Sequence, residues 1–394
     1  MFRFTTLPPL SLYIHLPWCA RKCPYCDFNS HEGEVQERAY VDALVNDLEQ
    51  DLPRIWGRPV VSVFIGGGTP SLFSPEALDR LLCAVRARLR LIPQAEITLE
   101  ANPGSSEYEK FREFRALGIN RLSIGVQSFD DDSLQRLGRI HGRSEALRAA
   151  EAAHDAGFES FNLDLMFGLP EQTLKQAESD IATALALEPA HLSYYQLTLE
   201  PNTLFHHQPP QLPEEDVIAA MQERAQERMA ERGFQHYEVS AYAREGAQCK
   251  HNLNYWQFGD YLGVGAGAHG KITDAQQQTI TRLWKLKQPR DYMDKSEMPE
   301  RIGEESLLTP ADAAFEFMLN ALRLTEGFTS SLFTEHTGLP LSFIEWPLKQ
   351  AEERGLIERN AQGMRPTAQG QRYLNDLTAL FLPPSMPITG AARR

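Results

Sequence analysis

Residues 11–26 read SLYIHLPWCARKCPYC: an apolar run holding Tyr13, Ile14 and Trp18, then three cysteines spaced C-x3-C-x2-C. Such a run reads as a buried strand, which puts Cys19, Cys23 and Cys26 in the loop leaving its carboxyl end. A structural zinc site takes four protein ligands. Here there are three, and no fourth Cys or His follows at finger-like spacing. His31 lies five residues beyond Cys26, which leaves zinc as the lesser reading, and Cys83 and Cys249 are remote. Three thiolates and one unfilled position suit a [4Fe–4S] cluster with one iron open to an outside ligand.

Outward from this stretch, similar runs recur at 60–66, 96–102, 121–129, 161–168 and 191–200. Segments of helical spacing separate them, at 37–52, 75–91, 106–117, 144–156 and 171–187. Leu78, Leu81, Leu82 and Val85 make one apolar stripe in the second of these segments. Ser74 before Pro75 is a helix start, and Gly118 and Gly157 are helix stops. Six strands alternating with helices imply βαβ units and a parallel sheet, an α/β fold. Polar residues stand at several strand ends: Gly67–Thr69, Glu100, Gln127, Asp164 and Gln196. A site assembled from many strand ends is barrel behaviour, and six units instead of eight predict a partial (β/α)6 barrel.

After Pro201 the pattern changes. A helix is expected at 214–232, an apolar stretch near 237–242, a Gly- and aromatic-rich irregular region at 249–270, and a loop or linker from 276 to about 310. Helices at 311–324 and 341–354, a hairpin over 356–367 around Gln362 and Gly363, and a helical end at 375–380 predict a winged-helix-like α+β module. The expected domains are therefore 1–235, a connecting region 236–305, and 306–394. Residues 310–385 hold six Arg and Lys against nine Asp and Glu, and the whole chain of 394 residues carries −14. Both balances argue against nucleic acid, which is bound by cationic neutralisation. No stretch approaches ~18 uninterrupted apolar residues, so no transmembrane segment is expected. Pro8, Pro9, His15 and Pro17 break any signal-peptide core. Five cysteines, three of them clustered, suit a reducing compartment and a cytoplasmic protein.

Gly66-Gly67-Gly68-Thr69-Pro70 follows the second strand. Lacking Cβ atoms, these glycines let the backbone approach a ligand; the plainer reading is a tight turn before a helix. On the first account, Gly68→Val weakens ligand binding and leaves the cluster intact. Glu100, Gln127, Arg139 and Asp164 carry groups for ribose hydroxyls, a carboxylate and an ammonium. Asp164 also reads as a helix-capping acid, Arg139 as a surface residue, and Tyr13 as either a phenol beside the cluster or a core tyrosine.

The stretches YIHLPWCARKCPYCDF, GGGTPS, LEANP, GVQSF, NLDLMFGLP and HNLNYW together resemble the HemW heme chaperones. These are relatives of the oxygen-independent coproporphyrinogen III oxidases within the radical S-adenosylmethionine (SAM) superfamily. The resemblance runs from about Leu10 through the C-terminal module. It implies a radical SAM partial barrel with Cys19, Cys23 and Cys26 as cluster ligands. Tyr13, Tyr25, Gly67, Gly68, Thr69, Glu100, Gln127, Arg139 and Asp164 fall on SAM-binding positions. It also implies binding of heme and delivery to apo-hemoproteins such as respiratory enzymes, with no coproporphyrinogen oxidase activity. The oxidases resemble C-x3-C-x2-C-x-C, and Phe28 stands here in place of the added cysteine. His251-Asn252-Leu253-Asn254-Tyr255-Trp256 matches the HNxxYW motif of HemW. A neutral imidazole is a suitable heme-iron ligand, so His251 is the expected one, with His206, His207 and His269 as rivals and a core histidine as the bland reading. The alternative functions are an oxidase that decarboxylates porphyrinogen propionates, or a radical SAM enzyme of another substrate.

Overall fold

The computed structural model of the protein describes residues 1–361 and 363–383; Gln362, part of the expected hairpin turn, lies outside them. Six strands follow the predicted order: β1 Leu10–Leu16, β2 Pro59–Gly67, β3 Arg90–Ala101, β4 Arg121–Gln127, β5 Ser160–Phe167 and β6 His191–Gln196. Each pairs in parallel with the next. Their interiors are almost continuously buried, as in β1, because helices cover one face and the site lies on the other. Ser74 caps its helix by accepting the Ala77 N–H at 3.2 Å, and Leu78, Leu81, Leu82 and Val85 are the buried stripe.

The strand count is larger than expected. After the short pair β7 Gln235–Glu238 and β8 Ala241–Ala243 come β9 Asp260–Val264, β10 His269–Asp274, β11 Thr279–Lys285 and β12 Ile302–Leu307. The sheet order is β12-β11-β10-β9-β1-β2-β3-β4-β5-β6-β8-β7, an open sheet. Strand β9 adds a seventh parallel member beside β1, in register Leu10 to Asp260 through Ile14 to Val264. The other late strands run antiparallel. Residues 260–307, expected as irregular chain and linker, thus extend the sheet. Two features hid them. β12 is exposed along most of its length and carries Glu304 and Glu305, as suits an edge strand. β9 and β10 hold glycines that break a β-like composition, yet Gly263 is required: a Cβ there would lie 1.9 Å from the His269 carbonyl oxygen.

Helices Pro310–Ala321, Ser330–Thr337 and Glu345–Glu353 and the hairpin of Ile357–Arg359 with Met364–Pro366 form the C-terminal module around a separate core. Phe2 and Phe4, from the far end of the chain, are buried in that same core.

Candidate functional site

The β1–β2 pairing continues past the strands. The Gly68 N–H donates to the Leu16 carbonyl at 2.8 Å and the Thr69 N–H to the Trp18 carbonyl at 2.7 Å. This locks the glycine turn against the start of the cysteine loop. Trp18 is held in turn by the Tyr40 ring, edge-on at 4.6 Å. Gly67 adopts φ 120°, a region open mainly to glycine.

A cavity of about 850 Å³ opens there. Five successive strands line it from their carboxyl ends, through Gly67, Glu100, Gln127, Phe167 and Gln196. Cys19, Cys23 and Cys26 face it, as do Tyr25, Gly68, Thr69, Arg139 and Asp164. Thr69 Oγ1 donates to Cys19 Sγ at 3.5 Å, and an Arg139 amino group reaches Cys23 Sγ at 3.7 Å. Cys83 is exposed on its helix, and Cys249 is buried beside Glu96. Among the described residues, no three His, Cys, Asp or Glu side chains converge on a point that would suit one metal ion. Three thiols around one cavity suit a cluster in which each sulfur meets a different iron. Burial pushes the Cys19 and Cys26 thiols up; iron charge is what would hold them as thiolates.

The polar lining fits a zwitterionic nucleoside. Arg139 donates to Asn102 Oδ1 and the Gly125 carbonyl, both at 2.7 Å, while its Nε is buried without a partner. Asp164 accepts from Ser123 at 3.0 Å and Asn162 at 2.8 Å, and burial raises its carboxyl. Glu100 accepts the Gly67 N–H at 2.9 Å. Burial, reinforced by Asp164, pushes Glu100 up to about 8 against that hydrogen bond. A bound cation would draw it back to the carboxylate. Gln127 holds φ 71° at a strand irregularity and accepts the Tyr195 hydroxyl at 2.8 Å.

Two expectations change. A Cβ on Gly68 would lie 2.5 Å from the Trp18 carbonyl oxygen, so the protein backbone by itself already requires a glycine here, and a side chain would disturb the cysteine loop as well as the cavity. His251 is 1 % exposed, lines neither this cavity nor the second one, and sits 3.0 Å from Ser62 Oγ through Nδ1. Phe64 stacks on it at 5.0 Å and Tyr255 meets it edge-on at 4.8 Å. Burial, then the Arg121 charge, lowers it to about 3. The reason is its helix, Lys250–Trp256, which packs onto β1, β2 and β9 and turns His251 inward. Asn252 and Trp256 of the same motif do reach the first cavity. His206 and His207 are exposed on a short helix and line neither cavity.

A second cavity, about 660 Å³, adjoins the first through Cys26, Asp27, Phe28, Gly67 and Glu100, which line both. Tyr13 faces this one, with its hydroxyl 2.9 Å from His15 Nδ1.

The family model described as the Radical SAM superfamily matches residues 13–184, and the HemN C-terminal domain matches residues 308–373. "Heme chaperone HemW" of Escherichia coli (strain K12) is 50% identical over 378 residues, covering 95% of this chain and 99% of that one. The Bacillus subtilis (strain 168) protein of the same name is 38% identical, covering 94% and 99%. The chain belongs to the HemW family. Its fold is also that of a solved structure titled coproporphyrinogen III oxidase (HemN) from Escherichia coli, with a TM-score of 0.80, 24% identity, and cover of 95% and 90%. At that identity the likeness concerns the fold alone. Membership of HemW brings the radical SAM superfamily's [4Fe–4S] cluster and SAM with it. Among the described residues of this HemW member, no helix is long and apolar enough to cross a membrane.

Sequence reasoning missed Asn102 and Tyr195. Asn102 bridges the site, donating to Thr69 at 2.9 Å and accepting from Arg139. Its signal was available: it stands two residues after Glu100 at a strand end, so both belong to one face. Tyr195 sits next to Gln196, which was singled out, and gave no separate sign.

Proposed function

We propose that this chain carries heme and passes it to apo-hemoproteins in the cytoplasm, with a [4Fe–4S] cluster and SAM held in the first cavity. The observation that carries this reading is the end-to-end 50% identity with a protein named a heme chaperone. Phe28, where the oxidases carry a cysteine, supports it. Cys19, Cys23 and Cys26 would hold the cluster, which supplies an open iron for the SAM amino and carboxylate groups and an electron to its sulfonium. The remaining work belongs to the lining. Gly67, Gly68 and Thr69 shape the wall beside the cysteines. The unpartnered Arg139 Nε–H is free for a carboxylate. Glu100 and Asp164 are buried acceptors for an ammonium or ribose hydroxyls, Gln127 is held by Tyr195, and Tyr25 closes one side against Phe205.

The test is anaerobic reconstitution, heme titration, and mixing with an apo-hemoprotein. Heme uptake and transfer are expected, and Cys23→Ala should lose its iron while Cys83→Ala keeps it. In parallel the protein meets coproporphyrinogen III, SAM and a reductant. Formation of protoporphyrinogen, or absence of heme uptake, would overturn the reading.

A further inference from the structure

We infer that heme docks in the second cavity with His269 as its iron ligand. This rests on the heme-carrier reading above. The cavity's size, about 660 Å³, is that of small-molecule and cofactor sites. Its wall supplies what an iron porphyrin needs: an available imidazole, aromatic faces and cations for two propionates.

His269 is exposed at the start of β10, and no hydrogen bond engages either ring nitrogen among the described residues. The other histidine of this cavity, His15, is committed: Nδ1 to the Tyr13 hydroxyl and Nε2 to the Asn29 carbonyl, both at 2.9 Å. His269 is also well placed by its backbone, because the close approach of Gly263 to its carbonyl fixes where β10 begins. Partial desolvation by the cavity wall, then the nearby Arg282 and Lys287 charges, lowers its pKa and favours the neutral, ligating form.

Tyr255 and Tyr261 meet edge-on at 4.4 Å on the wall, a surface on which a flat ring packs. Phe28, 62 % exposed, stands on the lining as an uncovered apolar ring. Lys287 and Lys22 are exposed on the same lining. Lys22 spends two of its three donors on the Phe28 and Ser30 carbonyls, and one remains. The arrangement also suits release. One ligand on an exposed strand end and solvent-facing lysines leave an edge of the porphyrin open to a client, whereas a ligand as deeply buried as His251 would not.

The experiment uses the full, anaerobically reconstituted chain and ferric heme, read by the Soret band, electron paramagnetic resonance and tryptophan quenching. His269→Ala should lose the nitrogen-ligand signature and bind heme about tenfold more weakly. Added imidazole should restore the signature. Lys287→Glu should weaken binding and keep the signature. His269→Gln is run in parallel, with cluster iron as the check on the fold. If His269→Ala and His269→Gln keep the wild-type spectrum and affinity, or His251→Ala alone removes the ligand signature, the site is wrong while the carrier reading stands. If the wild-type chain takes up no heme, both fail.

Discussion

Gly68 sits where two backbones touch. A Cβ there would be 2.5 Å from the Trp18 oxygen and 2.9 Å from the Pro17 carbonyl carbon. Neither atom is the end of a flexible side chain, so the strand leading into Cys19 has to move. Overpacking of this kind costs about 1–3 kcal/mol. Gly68→Val is therefore expected to lose most of its cluster iron as well as SAM affinity, which iron analysis after reconstitution would show. A variant with full iron and weakened SAM binding would return the glycine to the role of ligand approach. The same scale separates what spacing revealed from what it could not. Cys19, Cys23 and Cys26 were legible because ligand chemistry dictates their number and spacing. The burial of His251 was not, because an imidazole in a motif looks the same whether its helix turns it inward or outward.

Strands β11 and β12 are attached to the barrel by a buried ion network. Lys285 of β11 pairs with Asp47 and Asp51 of the helix Glu37–Asp51, and Arg301 contacts the same two acids at 2.8 and 2.6 Å. Tyr292 donates to Asp47 at 2.7 Å. All four charged side chains are almost wholly buried. Arg54, more exposed, also reaches Asp51 at 3.2 Å, but Lys285 and Arg301 are the buried cations on these two carboxylates, so removing Lys285 leaves buried negative charge poorly compensated. Lys285→Met is expected to destabilise the protein by about 3–5 kcal/mol, read from the denaturant midpoint at unchanged slope. A loss below ~1 kcal/mol would mean that water enters and solvates the acids. In the sequence these residues are four charges as much as 254 positions apart. Nothing in local spacing pairs them, and the strands they anchor were therefore read as linker.

At the scale of the molecule, the first residues hold the last module. Phe2 and Phe4 are buried among side chains such as Phe317 and Leu339, and the Arg3 N–H donates to the Gly338 carbonyl at 2.8 Å. The Phe4 N–H donates to Gln278 Oε1 at 2.7 Å, tying the same segment to the end of the β10–β11 turn. Buried Phe→Ala changes cost about 3–5 kcal/mol each. The Phe2→Ala, Phe4→Ala double variant should lower stability by several kcal/mol and speed hydrogen exchange in Ser330–Thr337, while exchange in β2 changes little. Equal protection in both regions would show that the N-terminal segment adds nothing to the module. Composition and alternation alone determined the parallel α/β core, its six successive strands and the three-cysteine loop, because strand burial and ligand spacing are local constraints carried by adjacent residues. Only the tertiary structure decided the seventh parallel strand, the antiparallel edge, the inward turn of His251 and the burial of Phe2 and Phe4 in the C-terminal core. Each of these is a contact across long sequence separation, and side-chain chemistry read along the chain does not say which distant surface it will meet.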